Sequence, residues 1–408
     1  MRKQTLTAAA LGLAILGLAP QAGAATGPMA FEPIAGSAYD QVSANWTEPF
    51  VVPENCTQTM VSDETVLDIY PGADDLTDMN VTNETGPQAG RYLYRTHEVG
   101  SNGAVSVADL KTGQSKVLAQ DVGYRVLDGL TWTPWGTLLF AEERVGGRLF
   151  EIFLDPKDPT AMSHIEVRPE LGIMRHEGIG VAPDGSVYVI DEFNGGAIYK
   201  FVPTRRGDLS DGQLYALRLT GLTDAQQAWN QATYNDKVGA FEWVPLNMTL
   251  ATTDAKAAAD AVNATEFGRP EDVQIISNVL YVANTSEDRV VAIDLKGNEL
   301  TSFVNAGANV PVEDEGAGVT GFNNPDNLAI GTGGQLWIAE DNSPSDIWVA
   351  RDSDNDGVAD EVELFASLKD PGAESTGIYF GKDPHTLYVN IQHASKPLAD
   401  GTWAITCR

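Results

Sequence analysis

The sequence predicts an all-β protein, a six-bladed β-propeller with a small helical insertion, on three observations. Stretches of alternating β-branched and aromatic residues, each opened by a small or polar turn and closed by a polar or acidic residue, recur along the 408 residues. Their spacing is about 50 residues, which is typical of propeller repeats. The 40 glycines and the 43% hydrophobic content fit a well-packed chain with many turns.

Five copies of the repeat are clear in the sequence, and "RYLYRTHEV" from Arg91 supplies an earlier one. The clear copies centre on Leu138, Val187, Leu280, Leu336 and Leu387. The interval after Val187 is nearly double the others and could hide a degenerate copy. The copies would form one closed domain over residues 66–408, with a β-sandwich or a two-domain all-β protein as the alternative.

Two segments that favour helix interrupt the repeats. They are the stretches "TDAQQAWNQATYNDKVG" and "TDAKAAADAVNATEFG", and either Thr253 or Asp254 can cap the second. We expect a helical insertion at about residues 222–266 that lies over one face of the propeller.

The N-terminus has the features of a secretory signal. Arg2 and Lys3 precede an apolar run that ends in the small-x-small site Ala22-Gly23-Ala24. We therefore expect residues 1–24 to be a signal peptide and residues 25–65 to be an irregular segment. No later stretch approaches the roughly 18 apolar residues that a membrane span needs. The expected location is secreted or periplasmic, with no membrane partner.

The chain is strongly acidic. Loss of Arg2 and Lys3 would remove two positive charges and take the formal net charge from -31 to -33. Such a charge argues against nucleic acid and anionic membranes as partners. A solvated acidic surface and clusters of carboxylates that hold Ca²⁺ are both compatible with it. We expect a monomer.

The cysteines are Cys56, near the expected mature start, and Cys407, the penultimate residue. In an oxidising compartment they most simply form a disulfide that joins the chain ends. In a propeller the chain ends meet in or near one blade, so this bond would lock the ring. A free catalytic thiol is the alternative.

Charged or polar residues lie at comparable positions in successive repeats. Inner strands of a propeller run close to the central channel, so these groups would converge there. By copy, they are His97 and Glu98; Glu142 and Glu143; Arg175, His176 and Glu177; Arg269, Glu271 and Asp272; Asn324, Asp326 and Asn327; and Glu374 and His393. Crowded carboxylates repel one another unless cations lie between them, which predicts an axial metal site. Taken singly, each acid could be solvated and each arginine could form a structural salt bridge.

A separate acidic stretch, "DSDNDGVADEVE", matches the calcium-loop pattern D-x-[DN]-x-[DN]-G-x₅-E. The expected ligands are the side chains of Asp352, Asp354, Asp356, Asp360 and Glu363 and the carbonyl of Val358. The flanking stretches "DIWVAR" and "VELFASL" are typical of strands. We expect a Ca²⁺-binding hairpin loop that stabilises a blade edge, with an acidic turn lacking metal as the alternative.

Several stretches of the sequence resemble the PhoX-type alkaline phosphatases, a family of secreted β-propeller phosphatases. The matching stretches run in the family's order from about residue 90 to 395: "TPWGTLLFAEE", "RHEG", "DAKAAADAVNATEFGRPEDV", "NNPDNLAIGTGGQLWIAED" and "GAESTGIYFGKDPHTLYVNIQH". The resemblance implies a six-bladed propeller, an axial cluster of Ca²⁺ with iron, and hydrolysis of small phosphate monoesters.

Carried over by position, the resemblance implies metal ligands and a phosphoryl-binding arginine, Arg269. The implied ligands are Glu142 or Glu143, Glu177, Glu271 and Asp326, and the repeat pattern adds Glu374. We expect Arg175 to assist Arg269, and His176 or His393 to protonate the leaving oxygen. Ala141 replaces the family's cysteine iron ligand, so we expect Ca²⁺ and leave iron open.

Two other functions remain open at this point. One is a lactonase or sugar-dehydrogenase type of propeller enzyme, because Ca²⁺ at a propeller axis suits those reactions as well. The other is a non-catalytic binding propeller stabilised by calcium. A fold supports many functions, so the propeller alone does not decide between them.

Overall fold

The computed structural model describes residues 27–38, 46–86, 88–312 and 321–408. The predicted signal peptide at residues 1–24 lies outside the described residues. Within them the chain is mostly β-strand, with three short α-helices. None of the helices in these ranges has the length and apolarity that a membrane crossing requires.

The strands form antiparallel groups that follow one another along the chain. Two strands, β1 (Phe50–Val51) and β2 (Cys56–Asp63), come first. Group one contains β3 (Thr77–Thr82), β4 (Tyr92–His97), β5 (Ala104–Asp109) and β6 (Gln114–Gln120). Group two contains β7 (Leu127–Trp132), β8 (Leu138–Glu142), β9 (Leu149–Asp155) and β10 (Asp158–Val167).

The third and fourth groups join into one sheet. Group three contains β11 (His176–Val181), β12 (Val187–Asp191), β14 (Ile198–Arg205) and β15 (Asp208–Leu219), and a short strand β13 (Asn194–Gly196) lies beside it. Strand β16 (Gly239–Pro245) connects this group to group four. A short strand β17 (Phe267–Gly268), which pairs with β13, precedes group four: β18 (Pro270–Ile276), β19 (Val279–Asn284), β20 (Arg289–Asp294) and β21 (Glu299–Asn305).

The last two groups each take a strand from the N-terminus. Group five contains β22 (Pro325–Ile330), β23 (Leu336–Glu340), β24 (Asp346–Arg351) and β25 (Glu361–Leu368), with β1 at its edge. Group six contains β26 (Glu374–Phe380), β27 (Thr386–Gln392) and β28 (Gly401–Cys407), with β2 at its edge. The helices are α1 (Asp224–Gln227), α2 (Met248–Ala251) and α3 (Ala255–Asp260), and single 3₁₀ turns occur at Pro169–Leu171, Tyr234–Asp236 and Thr285–Glu287.

The first strands of the groups contact one another in a closed circuit: β3, β7, β11, β18, β22 and β26 each contact the next, and β26 contacts β3. Glycines permit this close approach. A Cβ on Gly129 would lie 2.0 Å from the carbonyl oxygen of Glu177, and one on Gly178 would lie 2.4 Å from Asp272 Oδ1. Larger residues at these two positions would force neighbouring strands apart.

The core lies between neighbouring groups. One buried cluster unites groups five and six and contains Trp337, Phe365, Ile391 and Trp403. Such inter-sheet packing leaves the polar ends of the first strands to meet at the centre of the circuit.

The predicted repeat anchors fall in the second strand of their groups: Leu138 in β8, Val187 in β12, Leu280 in β19, Leu336 in β23 and Leu387 in β27. The long interval after Val187 is filled by the hairpin β14–β15, strand β16 and the three helices. A degenerate copy is therefore not needed to explain it.

The segment at residues 25–65 is less irregular than predicted, because it contains β1 and β2. Strand β2 was missed because it is a polar edge strand with most of its side chains partly or fully exposed. It pairs with β28 so that Cys56 is opposite Cys407, and the predicted disulfide between them is present. The last sheet is thus completed by both ends of the chain.

The insertion at 222–266 contains less helix than predicted. Its first part forms only the four-residue α1 and the 3₁₀ turn at Tyr234–Asp236, and between them Asn230 adopts a left-handed φ of 62°. The buried ammonium of Lys237 donates to the carbonyls of Ala228 and Glu266, which holds this part as a folded loop. The cap of α3 is Asp254, whose side chain accepts from Ala257 N at 2.9 Å.

Candidate metal centre

The first strands share a local irregularity at their acidic residues. Each has a shift in pairing register, and such a bulge redirects a side chain. The residues within the shifts are Asp78 and Met79, Asp128 and Gly129, Glu177 and Gly178, Glu271 and Asp272, Asp326 and Asn327, and Gly377 and Ile378. In most of these pairs the first residue is acidic, so the bulges present carboxylates where the strands meet.

Three of the predicted ligands come together. One carboxylate oxygen from each of Glu177, Glu271 and Asp326 lies within 4.8 Å of the other two. Burial, and then the charges of neighbouring carboxylates, raise the pKa of all three side chains well above the ordinary range. Three ionised carboxylates this close are costly without a cation, so the group is suited to a metal ion.

Further carboxylates surround these three. They are Asp78 and Asp128 on first strands, Glu374 at the start of β26, and Glu98, Glu143, Glu192 and Asp341 just after second strands. Burial first, and neighbouring carboxylates second, raise the pKa of Glu374 to about 8 and those of Glu98, Glu143 and Glu192 to about 7. The predicted ligands Glu143 and Glu374 therefore belong to the same electrostatically coupled cluster.

Two arginines border the cluster. Arg175 pairs with Glu143, and its Nε lies 2.6 Å from Glu192 Oε2. Arg269 Nε lies 2.7 Å from Glu192 Oε1, and a terminal nitrogen of Arg269 lies 2.9 Å from Glu271 Oε1. Glu192 thus bridges the two guanidinium groups. Both arginine side chains are about one third exposed, at 34% and 35%, so each can meet a ligand from solvent.

The backbone of Arg269 is constrained. Its φ is 47°, in the left-handed region that non-glycine residues seldom adopt. Its N–H donates to the carbonyl of Phe193 at 2.9 Å, and its carbonyl accepts from Thr285 N at 3.0 Å. Burial lowers the pKa of Arg269, but the charges of Glu271 and Glu192 outweigh it and raise the pKa overall. The guanidinium is therefore a fixed cation.

Glu142 lies apart from this arrangement. Arg148 lies 2.7 Å from its Oε1, and Arg144 lies 3.1 Å from its Oε2. Successive strand residues point to opposite faces, so Glu143 reaches the cluster while Glu142 pairs with these arginines. The sequence had left the choice between the two open.

His176 is also turned away, whereas its neighbour Glu177 faces the cluster. The histidine is fully buried, and its Nε2 donates to the carbonyl of Gly172 at 3.0 Å. Burial lowers the pKa of His176 to about 4. His393 is exposed at the end of β27, where its N–H donates to Asp400.

Asp272 and Asn327, also candidates from sequence, tie first strands together. Asp272 Oδ2 accepts from Leu328 N at 2.9 Å, which joins β18 to β22. Asn327 Oδ1 accepts from Gly377 N at 2.5 Å, which joins β22 to β26. These bonds hold the carboxylates beside them in position.

The second acidic motif lies between β24 and β25, the strands predicted to flank it. Oxygens of Asp352, Asp354 and Asp356 lie within 4.8 Å of one another, and the charge of Asp356 is the largest cause of the raised pKa of Asp354. The later positions of the motif are engaged elsewhere: Asp360 accepts from Ser353 N at 2.8 Å, and Glu363 pairs with Arg351. Val358 lies in the loop after these aspartates and is exposed.

Sequence reasoning missed Asp78, Asp128, Glu192 and Asp341. A usable signal existed for Asp128, because "LDGL" matches "HEGI" in placing an acid and a glycine before an aliphatic residue. Glu192 and Asp341 are the final residues of "VIDE" and "IAED", which align with "FAEE". Asp78 in "TDMN" carries no comparable signal.

The donor atoms fit calcium. They are carboxylate oxygens, and Asp78 Oδ1 and Asp128 Oδ1 are buried with no hydrogen-bond partner among the described residues. Ca²⁺ takes six to eight oxygen ligands, which a crowded cluster of this kind can supply. A thiolate ligand for iron is not available, because both cysteines form the disulfide and Ala141 is enclosed in an apolar cluster.

The fold and the cluster together define a β-rich protein with a buried acidic centre suited to metal ions. The sequence model described as "Alkaline phosphatase PhoX" matches residues 147–395, and the chain belongs to that family.

Solved structures share the fold. Pseudomonas fluorescens PhoX, solved in complex with vanadate, a transition state analogue, is 18% identical with a TM-score of 0.68. The match covers 93% of this chain and 98% of that one. A putative gluconolactonase is 12% identical with a TM-score of 0.50, and the match covers 88% of this chain and 94% of that one. The search of curated proteins found no match.

Proposed function

We propose that this protein is a secreted, calcium-dependent phosphoric monoester hydrolase that acts on small phosphorylated substrates as a monomer. The observation that carries the proposal is the group of Glu177, Glu271 and Asp326, with oxygens within 4.8 Å of one another, beside two partly exposed arginines. Membership of the PhoX family supports the reaction class.

The residues that would hold axial Ca²⁺ are Glu177, Glu271 and Asp326, with Glu143 and Glu374 close in the same cluster. Bound Ca²⁺ would supply charge to polarise the phosphoryl oxygens and to acidify a water. A set of oxygen donors favours Ca²⁺ over iron.

Arg269 and Arg175 would bind the phosphoryl oxygens. Guanidinium groups suit this role because they form paired hydrogen bonds with phosphate in a fixed plane. Glu192 holds both arginines, with contacts of 2.6 and 2.7 Å to their Nε atoms, so the substrate would meet a preorganised pair. His176 is not carried forward as the acid, because its ring is enclosed and bound to Gly172.

The proposed architecture is a six-bladed propeller. The closed circuit of first strands supports it, and so does the edge strand β2, which closes the last sheet beside the disulfide. The disulfide and the N-terminal signal pattern favour export, which agrees with secretion or a periplasmic location.

A second Ca²⁺ would bind the loop between β24 and β25 through Asp352, Asp354 and Asp356. Because this loop lies between paired strands, the ion would stabilise the hairpin and have no part in the reaction. Glu363 would have to leave Arg351 to serve as a ligand.

The test is hydrolysis of p-nitrophenyl phosphate by the purified mature protein, combined with elemental analysis. We expect bound calcium, loss of activity after chelation and recovery when Ca²⁺ returns. Glu271→Gln should abolish most of the activity, whereas Glu54→Gln, at an exposed position, should leave it unchanged. Full activity in the metal-free protein refutes the proposal. Calcium binding without turnover of any phosphate monoester would instead support a binding propeller.

A further inference from the structure

Three side chains on one face of group three each carry a buried polar atom without a partner. The atoms are His176 Nδ1, Asp191 Oδ2 and the hydroxyl of Tyr199, and none has a hydrogen-bond partner among the described residues. All three side chains are fully buried, at 0% exposure. A buried polar atom without a partner is costly, so such atoms are usually satisfied by an ordered water.

The pairing of the strands places these side chains on the same face of the sheet. His176 in β11 is directly opposite Asp191 in β12, and Tyr199 in β14 is opposite Val189. Asp191 and Val189 are two residues apart and therefore point to the same face of the sheet. That face is covered by the alanines of α3, which pack in one apolar cluster with Val189 and Tyr199.

The donors and acceptors in this group match one water molecule. His176 Nε2 donates to the Gly172 carbonyl at 3.0 Å, so a neutral ring offers Nδ1 as an acceptor. A carboxylate oxygen of Asp191 is a second acceptor, and the Tyr199 hydroxyl is a donor. A water can donate to both acceptors and accept from the hydroxyl, which gives it the roughly three bonds typical of a buried water.

We propose that His176, Asp191 and Tyr199 enclose a structural water that fixes Asp191, and that Asp191 in turn is a positioning residue for Arg175. The other oxygen of Asp191 accepts from Arg175 N at 3.1 Å. The next residue, Glu192, donates its N–H to the Arg175 carbonyl at 2.9 Å and pairs its side chain with the Arg175 guanidinium. The backbone of Arg175 is therefore held by Asp191, which the water orients, and by Glu192 beside it.

The first test is crystallographic and does not depend on the proposed reaction. A structure of the calcium-loaded protein at a resolution that shows ordered waters should contain one water within hydrogen-bond distance of all three atoms. Tyr199→Phe should lose or displace it. Direct bonds among the three side chains, a metal ion at this position, or a dry gap would each overturn the proposal.

The second test is kinetic and rests on the proposed phosphatase activity. Tyr199→Phe should raise both KM for p-nitrophenyl phosphate and the inhibition constant of inorganic phosphate by about 3- to 10-fold, the effect of one lost hydrogen bond. The reason is a shift of Arg175, so kcat should change less than KM.

The matched control is Tyr94→Phe, which removes a hydroxyl in group one that donates to the Pro159 carbonyl in group two at 2.9 Å. Tyr94→Phe should lower thermal stability about as much as Tyr199→Phe does, and it should leave KM and phosphate inhibition unchanged. Equal changes in KM and in the inhibition constant of phosphate in both variants would show that Tyr199 has only a structural role. That result would refute the link to Arg175. A wild-type protein without phosphatase activity would refute the proposed function, while the crystallographic test of the water would still stand.

Discussion

The charge of Asp326 should destabilise the protein when calcium is removed and stabilise it when calcium is bound. At a separation of 4.8 Å, two unit charges repel by about 3.5 kcal/mol at an effective dielectric constant near 20. Three ionised carboxylates give three such pairs, or about 10 kcal/mol, which is comparable with the whole stability of a typical domain. Asp326→Asn removes two of the three pairs.

The effect should depend on pH. Burial, followed by the charges of Glu177 and Glu271, raises the pKa of Asp326 above its ordinary value of 3.8. A raised pKa in the folded state means that stability is fully present below the ordinary pKa and is lost as pH rises through the folded pKa. The calcium-free wild type should therefore weaken toward alkaline pH, and the variant should weaken less.

The assay is thermal unfolding at pH 5 and pH 9, with a chelator and with excess Ca²⁺. At pH 9 without calcium, the free energy of unfolding of Asp326→Asn should be higher than that of the wild type by at least about 2 kcal/mol. The unfolding midpoint should be higher by roughly 3 °C. With calcium the order should reverse, because we expect the loss of one ligand charge to weaken binding about 100-fold or more, and about 100-fold corresponds to about 2.7 kcal/mol. Asp211→Asn, at an exposed position in β15, is the control and should behave as wild type. A calcium-free variant no more stable than the wild type at pH 9 would refute the reasoning.

Three more predictions concern other parts of the molecule. Burial raises the pKa of Glu64 from 4.5 to about 7. The wild type should therefore lose stability as pH rises from about 4.5 through 7, and Glu64→Gln should not show this loss. Denaturant unfolding at pH 8 should show a gain of about 1 kcal/mol, with no gain at pH 4 and none for the exposed Glu54→Gln. Replacing Cys56 and Cys407 by Ser opens a loop with a sequence separation of 351 residues and should cost about 4 kcal/mol in the same assay; an unchanged midpoint would contradict this. Arg269→Lys should lower kcat/KM for p-nitrophenyl phosphate about 100-fold, because an ammonium cannot bridge Glu192 and a phosphoryl group in one plane, and activity within threefold of wild type would contradict that role.

The strands of the fold could be predicted because their signal is local. The anchors Leu138, Val187, Leu280, Leu336 and Leu387 sit in alternating apolar runs, and every one lies in a second strand. Strand β2 could not be found in this way, because its partner β28 lies at the other end of the chain. Its polar, half-exposed sequence becomes a strand through that pairing, and local propensity alone does not indicate it.

In the helical insertion, more helix was predicted than the structure contains. The stretch after Thr223 has residues that favour helix, but only α1 and one 3₁₀ turn form there. Lys237 binds carbonyl groups in this loop, and these bonds to distant residues override the local preference. Propensity was decisive only at α3, where Asp254 caps the helix and its alanines are buried against group three.

At the candidate metal centre, the residue types were predictable, but the choice between neighbours depended on backbone geometry. Glu142 and Glu143 are identical in chemistry, and strand alternation gives one to Arg148 and the other to the cluster. The same alternation sends His176 into the core and Glu177 to the centre. A bulge lies in each first strand, and the residues at the bulge differ from the rest of the strand in their order more than in their number of acids. The pattern of an acid followed by a small or polar residue ahead of an aliphatic one is therefore the better guide: it finds Asp128 as readily as Glu177, and it predicts a ligand by its place in the strand as well as by its charge.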